Sequence, residues 1–179
     1  VNKGNADKLS VRPVDVPKSK VTKLGVLGAG MMGAGVAYVS AMAGMEVILI
    51  DSTTEQAEKG KAYSAKLLAK DVEKGRRTQE QAEAFLARIK PTVDYAQLEG
   101  ADLVIEAVFE HRGIKADVTA KAEAVMPKAS VFASNTSTLP ITGLAKASKR
   151  PKNFIGIHFF LPVEKMPLLE IIVGQKTGD

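Results

Sequence analysis

His158 and Glu170 are the two side chains in this sequence best suited to moving a proton. His158 ends an apolar run that begins at Phe154, and Glu170 interrupts a second apolar run, 168–173. Histidine exchanges protons near neutral pH, and a carboxylate within an apolar strand is costly unless it is paired. If the two runs form neighbouring strands, Glu170 reaches the second ring nitrogen of His158, fixes its tautomer and stabilises the imidazolium. The alternative is a histidine that is satisfied inside the core.

Further polar groups follow two other apolar runs. The segment 134–138 comes at the end of one run and includes Asn135 and Ser137, and Glu110 comes shortly after another. Ligands of open α/β sheets bind outside the carboxyl ends of the strands, so we expect these groups to face a ligand crevice. The alternatives are a polar turn that caps the next helix and, for Glu110, a solvated loop. His111, at the start of a polar helix, is interpreted as a solvated surface residue.

Gly28, Gly30 and Gly33 form a G-x-G-x-x-G pattern between an apolar strand and a helix that begins at Met31. In such a turn the first glycine permits the sharp bend, the second admits a pyrophosphate and the third allows close packing of helix and strand. The N-terminus of the helix also favours phosphate charge. The pattern therefore predicts a dinucleotide site, the alternative being a tight turn with no ligand.

Asp51 ends the next apolar strand, about 20 residues after the glycines, where an acid hydrogen-bonds the ribose hydroxyls. Its charge would repel a 2′-phosphate, and the following residue is Ser52 rather than arginine. We therefore predict NAD rather than NADP as the cofactor. The alternative is that Asp51 only caps the segment that follows it.

The elements that must position these residues alternate between strands and helices. This rhythm predicts an α/β fold with a Rossmann-type, doubly wound and mostly parallel sheet. Residues 53–90 predict an inserted helical pair, in which Thr53 and Thr54 cap the first helix and Thr78 caps a second that reaches Ile89. The predicted strands are Lys23–Leu27, Glu46–Asp51, Asp102–Val108, Val131–Asn135, Phe154–His158 and Leu168–Val173, and the predicted buried stripe of the pair is Leu67, Leu68, Val72, Phe85, Leu86 and Ile89.

Composition narrows the function classes. The 179 residues suit one domain, 21–179, preceded by a polar linker or extended arm, 1–20. Cysteine is absent, which excludes disulfides and thiolate metal sites, and no metal site is predicted. The net charge is +5, but the basic residues are scattered and tryptophan is absent, so nucleic acid is not an expected partner. No apolar run approaches membrane-spanning length, so we expect a soluble, intracellular protein.

Four ordered motifs make the chain recognisable. LGAGMMGAGVAYVSAMAG, DLVIEAVFE, SNTSTLPIT and GIHFFLPVEKMPLLEII together resemble the 3-hydroxyacyl-CoA dehydrogenase family. The likeness runs from Val21 to the end, and it is nearest to the dehydrogenase part of the multifunctional α subunit of the fatty-acid oxidation complex. In that subunit a hydratase domain comes first, joined by a linker that residues 1–20 resemble.

The resemblance implies an enzyme of fatty-acid β-oxidation that converts (S)-3-hydroxyacyl-CoA to 3-ketoacyl-CoA with NAD. It implies His158 as the catalytic base, Glu170 as its partner and Ser137 as the residue that holds the substrate hydroxyl. It also implies an acyl-CoA partner, a thiolase subunit in the parent complex, and a cytoplasmic location in a bacterium or else a mitochondrial one. The expected cofactor contacts are Gly28, Gly30, Met31, Met32, Gly33, Asp51, Val108, Phe109, Glu110, Lys115, Asn135 and Ser137.

Two departures from the family pattern qualify these expectations. Leu161 stands where the family often has asparagine or serine, and leucine cannot hydrogen-bond a substrate carbonyl. The family also continues, beyond the point matching Asp179, into a helical domain that forms much of the acyl-CoA cleft. We therefore expect this chain to bind NAD but to turn substrate over poorly by itself. The alternatives are a dehydrogenase of free 3-hydroxy acids and a nucleotide-binding module without catalysis.

Overall fold

The computed structural model describes residues 12–179. Residues 12–20 of the predicted arm form no helix or strand, and residues 1–11 of the arm lie outside the described residues. Regular structure begins at Lys23, close to the predicted start of the domain. No helix in the described part of the chain is long and apolar enough to cross a membrane.

Seven strands form a single sheet in the order β3-β2-β1-β4-β5-β6-β7. All neighbouring pairs are parallel except β6 and β7, which are antiparallel. This order reverses direction beside β1, as in doubly wound nucleotide-binding folds, and it confirms the predicted fold class. The strands are β1 Lys23–Leu27, β2 Glu46–Ile50, β3 Ile89–Thr92, β4 Leu103–Glu106, β5 Val131–Asn135, β6 Phe154–Phe159 and β7 Leu169–Ile172.

Helices cover both faces of this sheet. One apolar cluster joins Leu27 and Phe132 of the sheet to the helix Arg112–Glu123, named α4 below. The other joins strand residues such as Val26 to the helix Met31–Met42, named α1. Successive strand residues are thus buried on opposite faces, which is why these strands read as continuous apolar runs. The helices are α1 Met31–Met42, α2 Thr54–Glu73, α3 Gln79–Ala87, α4 Arg112–Glu123 and α5 Ile141–Leu144, with 3₁₀ turns at Tyr95–Leu98, Ala145–Ala147, Pro151–Asn153 and Val163–Lys165.

The inserted helical pair is present, but its end differs from the prediction. Thr53 and Thr78 cap α2 and α3 as expected, each accepting a hydrogen bond from a backbone N–H three residues later. Helix α3 stops at Ala87, and Ile89 instead begins β3, where it is buried and pairs with Val47. Of the predicted stripe only Leu68 and Ile89 are buried, whereas Leu67, Val72, Phe85 and Leu86 are partly exposed.

Strand β7 lies at one end of the sheet, and among the described residues it pairs only with β6. Its apolar side chains are therefore exposed, Ile171 to 66%. Because β7 is an edge strand, it leaves the Glu170 carboxylate 43% exposed. The antiparallel register nevertheless sets Glu170 directly opposite His158.

Candidate dinucleotide site and catalytic pair

The glycine turn between β1 and α1 is held together by its own backbone. Gly28 has φ +97°, a conformation that suits glycine, and a Cβ there would lie 2.5 Å from the carbonyl oxygen of Ala107. A Cβ at Gly33 would overlap the carbonyl oxygen of Gly28. At Gly30, by contrast, a Cβ would meet nothing within 4 Å. The protein itself therefore requires the first and third glycines, whereas the second borders open space at the start of α1.

Asp51 connects the end of β2 to this turn. Its Oδ2 accepts a hydrogen bond from the Ala29 N–H at 2.7 Å, and its Oδ1 accepts one from the Ser52 N–H at 2.6 Å. The carboxylate is only partly buried, so it retains acceptor capacity toward solvent. The free N–H groups at the start of α1 and an acid beside them match the phosphate and ribose ends of a dinucleotide. The residues present therefore fit NAD.

The two methionines of the turn point in different directions. The Met31 side chain is exposed, whereas Met32 packs against the apolar cluster under α1. Met32 lies in the first turn of the helix, where backbone N–H groups have no partner within the helix. Its predicted cofactor contact therefore involves its main chain, and that contact stays a prediction.

The loop 107–110 closes the other side of the turn. The Ala107 N–H donates to the Leu27 carbonyl at 2.7 Å, which keeps the loop beside β1, and Phe109 is 83% exposed. His111 follows the loop, is exposed as predicted, and caps α4 through Nδ1, which accepts from the Ile114 N–H at 3.4 Å. The predicted contacts Val108 and Phe109 thus lie next to the glycine turn.

Behind this loop is a buried ion pair that sequence reasoning missed. Lys115 Nζ lies 2.6 Å from Glu106 Oε2 and 3.2 Å from Glu110 Oε1, with the Lys115 side chain 2% exposed and that of Glu106 fully buried. The other carboxylate oxygen of Glu106 accepts from the Ser134 hydroxyl at 2.6 Å. The signal in the sequence was an acid at the end of an apolar strand and a lysine one turn into the next helix.

Glu110 is held between Lys115 and the segment that follows β5. Its Oε2 accepts hydrogen bonds from the hydroxyls of Thr136 at 2.8 Å and Thr138 at 2.9 Å. Burial raises the pKa of the Glu110 carboxyl, but these two hydroxyls and the Lys115 ammonium outweigh it, so its pKa lies below the ordinary value. Glu110 is therefore a fixed anion that joins α4 to the end of β5.

The segment after β5 forms a polar turn and leaves Ser137 exposed at the carboxyl edge of the sheet. Thr136 also accepts from the Leu139 N–H at 3.0 Å, so part of the segment is the expected polar turn before α5. The Asn135 Oδ1 accepts from the Phe159 N–H at 3.2 Å and joins the ends of β5 and β6. Ser137 is exposed just beyond β5, at the carboxyl edge of the sheet to which β6 also runs.

His158 and Glu170 form the pair that their positions predicted. His158 Nδ1 lies 2.9 Å from Glu170 Oε2, and the imidazole packs against the ring of Phe160 with centroids 4.7 Å apart. In the described part of the chain Nε2 has no hydrogen-bond partner. A carboxylate at Nδ1 favours the tautomer that carries its proton there and leaves the lone pair of Nε2 available. The arrangement is that of an oriented general base.

The chain after β6 returns to the helix of the glycine turn. Val163 is buried against Gly35 of α1, where a Cβ would lie 2.9 Å from the Val163 side chain. The Tyr63 hydroxyl of α2 donates to Glu164 at 3.0 Å. Leu161, at the predicted departure from the family pattern, is exposed. These contacts connect the strand that bears His158 to the dinucleotide turn.

A parallel sheet with this strand order, a glycine turn that opens α1, an acid at the end of β2 and an oriented histidine define a Rossmann-type dehydrogenase domain. Residues 23–179 match the family model described as 3-hydroxyacyl-CoA dehydrogenase, NAD binding domain, and the chain belongs to this family. The cofactor of such a domain is NAD.

Solved structures of several dehydrogenases are similar to this chain. A 3-hydroxybutyryl-CoA dehydrogenase from Escherichia coli K12 is 36% identical, with a TM-score of 0.85 over 89% of this chain and 34% of its own. An (S)-3-hydroxybutyryl-CoA dehydrogenase from Ralstonia eutropha gives the same identity and TM-score over 89% of this chain and 56% of its own. The dehydrogenase part of multifunctional enzyme 1 from C. elegans is 29% identical, with a TM-score of 0.77, over 89% and 36%. The chain therefore spans between about one third and just over half of these proteins.

Proposed function

We propose that this chain is the NAD-binding domain of an enzyme that oxidises (S)-3-hydroxyacyl-CoA to 3-ketoacyl-CoA. The observation that carries the proposal is the 2.9 Å contact between His158 Nδ1 and Glu170 Oε2 on a sheet that also bears a complete dinucleotide turn. The proposal is supported by similar structures that are themselves named 3-hydroxybutyryl-CoA dehydrogenases. Family membership supports the class of reaction, and both the reaction and its substrate belong to the proposal.

In this proposal the chain contributes the base and the means of orienting it. Nε2 of His158 takes the proton of the substrate hydroxyl, and the resulting imidazolium is stabilised by the Glu170 carboxylate at Nδ1. Bound NAD would accept the hydride from the carbon that bears this hydroxyl. The alcohol thus loses one proton and one hydride and becomes a ketone. Ser137, exposed at the same edge of the sheet, holds the substrate hydroxyl.

The cofactor would be held mainly by backbone. The N–H groups at the start of α1 would receive the pyrophosphate, the open space at Gly30 would admit it, and Asp51 would accept from the ribose hydroxyls. The negative charge of Asp51 favours NAD over NADP, because a 2′-phosphate would lie beside it. The remaining predicted contacts, from the loop 107–110 and from Asn135, would lie on the side of the turn toward the paired strands β4 and β5.

We further propose acyl-CoA as the substrate partner of the whole protein. The role in fatty-acid β-oxidation, the association with a thiolase subunit, the cytoplasmic location and the consequence of Leu161 stay predictions drawn from the resemblance. Because the chain spans 34% and 56% of the first two dehydrogenases compared, the acyl-CoA partner is proposed for the whole protein rather than for this region alone.

The test is oxidation of (S)-3-hydroxybutyryl-CoA by the full-length protein, followed as NADH formation, with free 3-hydroxybutyrate and NADP as controls. We expect turnover of the CoA ester with NAD, and a loss of about 10³-fold in kcat for His158→Ala. NADH binding by that variant should stay within about twofold of the wild type, because His158 is assigned to the substrate rather than the cofactor. Turnover of the free acid alone would support a hydroxy-acid dehydrogenase, and NADH binding without turnover would support a module without catalysis.

A further inference from the structure

The connection between β6 and β7, residues 160–168, joins the two strands that carry His158 and Glu170. Its first residue, Phe160, packs against the imidazole of His158 with ring centroids 4.7 Å apart. Most of the connection is exposed, and its only regular structure is the 3₁₀ turn Val163–Lys165. Because the connection is short, the contacts that fix this turn also limit how far the imidazole can move.

Two side chains attach this turn to two different helices. Val163 is buried against Gly35 of α1. Glu164 reaches α2 instead, where its Oε2 accepts a hydrogen bond from the Tyr63 hydroxyl at 3.0 Å. Burial, and after it the Glu164 carboxylate, raises the pKa of Tyr63, so its hydroxyl remains a donor at neutral pH. The hydrogen bond is directional, so it adds to the apolar contact a constraint on the orientation of the turn.

Helix α2 also contacts the dinucleotide turn, close to Tyr63. Gly60 of this helix packs against Ala29 of the glycine turn, where a Cβ at Gly60 would lie 2.8 Å from the Ala29 Cβ. The helix begins three residues after Asp51, the acid assigned to the ribose. Residues three apart lie on the same side of a helix, so Gly60 and Tyr63 make their contacts from one face. One turn of α2 therefore connects the dinucleotide turn to the connection that follows His158.

We propose that Tyr63 and Glu164 are positioning residues for the dehydrogenation, which set the placement of His158 relative to the bound dinucleotide by holding the connection 160–168 against α2. This inference rests on the proposed function. Oxidation of an alcohol requires the base and the hydride acceptor to approach the same carbinol group, so their separation affects the rate. A misplacement of about 1 Å can slow such a reaction by up to about 10²-fold.

The test compares Tyr63→Phe, Glu164→Ala and the double variant in the full-length protein, with Tyr38→Phe as the matched control. Tyr38 of α1 is also a partly buried tyrosine, but its hydroxyl has no hydrogen-bond partner among the described residues. We expect the single-turnover rate of NADH formation from (S)-3-hydroxybutyryl-CoA to fall about fivefold in each single variant, equivalent to about 1 kcal/mol. The double variant should also lose about fivefold rather than about 25-fold, because both residues act through one hydrogen bond. NADH affinity should stay within about twofold of wild type.

Hydrogen exchange, followed by mass spectrometry without substrate, reports on the connection directly. The N–H groups of Lys165 and Met166 donate to carbonyls within the turn, so they exchange when the turn opens. A peptide that covers residues 160–168 should exchange faster in Tyr63→Phe than in wild type or in Tyr38→Phe. The conservative variant Glu164→Gln keeps an oxygen acceptor, so it should retain the wild-type rate of NADH formation within about twofold.

These measurements separate positioning from a general loss of structure. A slower turnover with faster exchange of the connection and unchanged NADH affinity supports the inference. It would be overturned by a Tyr63→Phe protein that forms NADH at the wild-type rate, by an equal loss in Tyr38→Phe, or by slower turnover with unchanged exchange. A wild type that does not oxidise the CoA ester would instead overturn the proposed function, and the exchange measurement would still decide whether Tyr63 holds the connection.

Discussion

Gly33→Ala should lower the stability of the protein, whereas Gly30→Ala should lower its affinity for NADH, although the two residues lie in the same turn. At Gly33 a Cβ would overlap the carbonyl oxygen of Gly28 and lie 2.8 Å from its carbonyl carbon. Backbone atoms cannot rotate away as a flexible side chain can, so α1 must move from β1. At Gly30 a Cβ would meet nothing within 4 Å, so the free protein accommodates it.

The expected magnitudes follow from these two environments. Overpacking lowers the free energy of unfolding by about 1–3 kcal/mol, and because the neighbour is rigid backbone we expect about 3 kcal/mol for Gly33→Ala. The better helix propensity of alanine returns about 1 kcal/mol. The net loss of about 2 kcal/mol corresponds to a fall in Tm of about 4–8 °C for a domain of this size. For Gly30→Ala, a poorer helix cap and a less flexible unfolded chain nearly cancel, so stability should change by less than about 1 kcal/mol.

NADH binding should be affected specifically by the substitution that leaves stability unchanged. Gly30→Ala places a methyl group in the space proposed for the pyrophosphate, so NADH affinity should fall by about tenfold or more in a protein of unchanged Tm. Both variants are measured by calorimetric melting and by NADH fluorescence titration below the lower Tm. Unchanged NADH affinity in Gly30→Ala would refute the assignment of this turn to the phosphates. A Gly33→Ala protein as stable as wild type would refute the packing argument.

Three further predictions concern single carboxylates. Glu170→Gln in the full-length protein should lower kcat by about 10²–10⁴-fold with little change in the KM for NAD, and a kcat within fivefold of wild type, roughly, would contradict the orienting role. Asp51→Ser should raise the affinity for NADPH relative to NADH by about tenfold, measured by fluorescence titration, and an unchanged ratio would count against the ribose contact. The pKa of Glu110 is lowered in the folded state, so wild type should melt at a higher temperature than Glu110→Gln at neutral pH. This difference should disappear below about pH 4, where the carboxylate is protonated. A difference that persisted in acid would argue against the contacts of the Glu110 anion with Lys115 and the two threonines.

Most of the sheet was predictable because its central strands are buried on both faces. Each such strand appears as an apolar run, and the six predicted runs all correspond to strands. Strand β3 escaped prediction because Lys90 and Pro91 occupy half of its four positions. Proline is tolerated there because, among the described residues, β3 pairs only with β2 and lies at the edge of the sheet. Ile89 is apolar and lies two residues beyond Ala87, so the sequence pattern assigned it to the end of α3 rather than to the start of β3.

The candidate site was also predictable only in part. The glycine turn depends on local backbone conformation, so its sequence pattern is specific, and the pairing of His158 with Glu170 follows from an antiparallel register between two apolar runs. The contact between Glu106 and Lys115 depends on how α4 crosses behind β4, which no local pattern encodes. The sequence therefore predicted the contact between His158 and Glu170 and the glycine turn, but not the buried charges between them.

The exposed edge strand β7 has a consequence for the handling of the protein. An unpaired edge with apolar side chains is a template for a strand from another molecule, which makes it a site of aggregation. Ile171 and Val173 are the side chains that such a strand would meet, and Glu170 lies between Ile171 and Leu169 in that strand. Concentrated samples of the domain should therefore become turbid while still folded, and Ile171→Lys should delay the turbidity. The strand that carries Glu170, the partner of His158, would then also limit how long a concentrated sample stays clear.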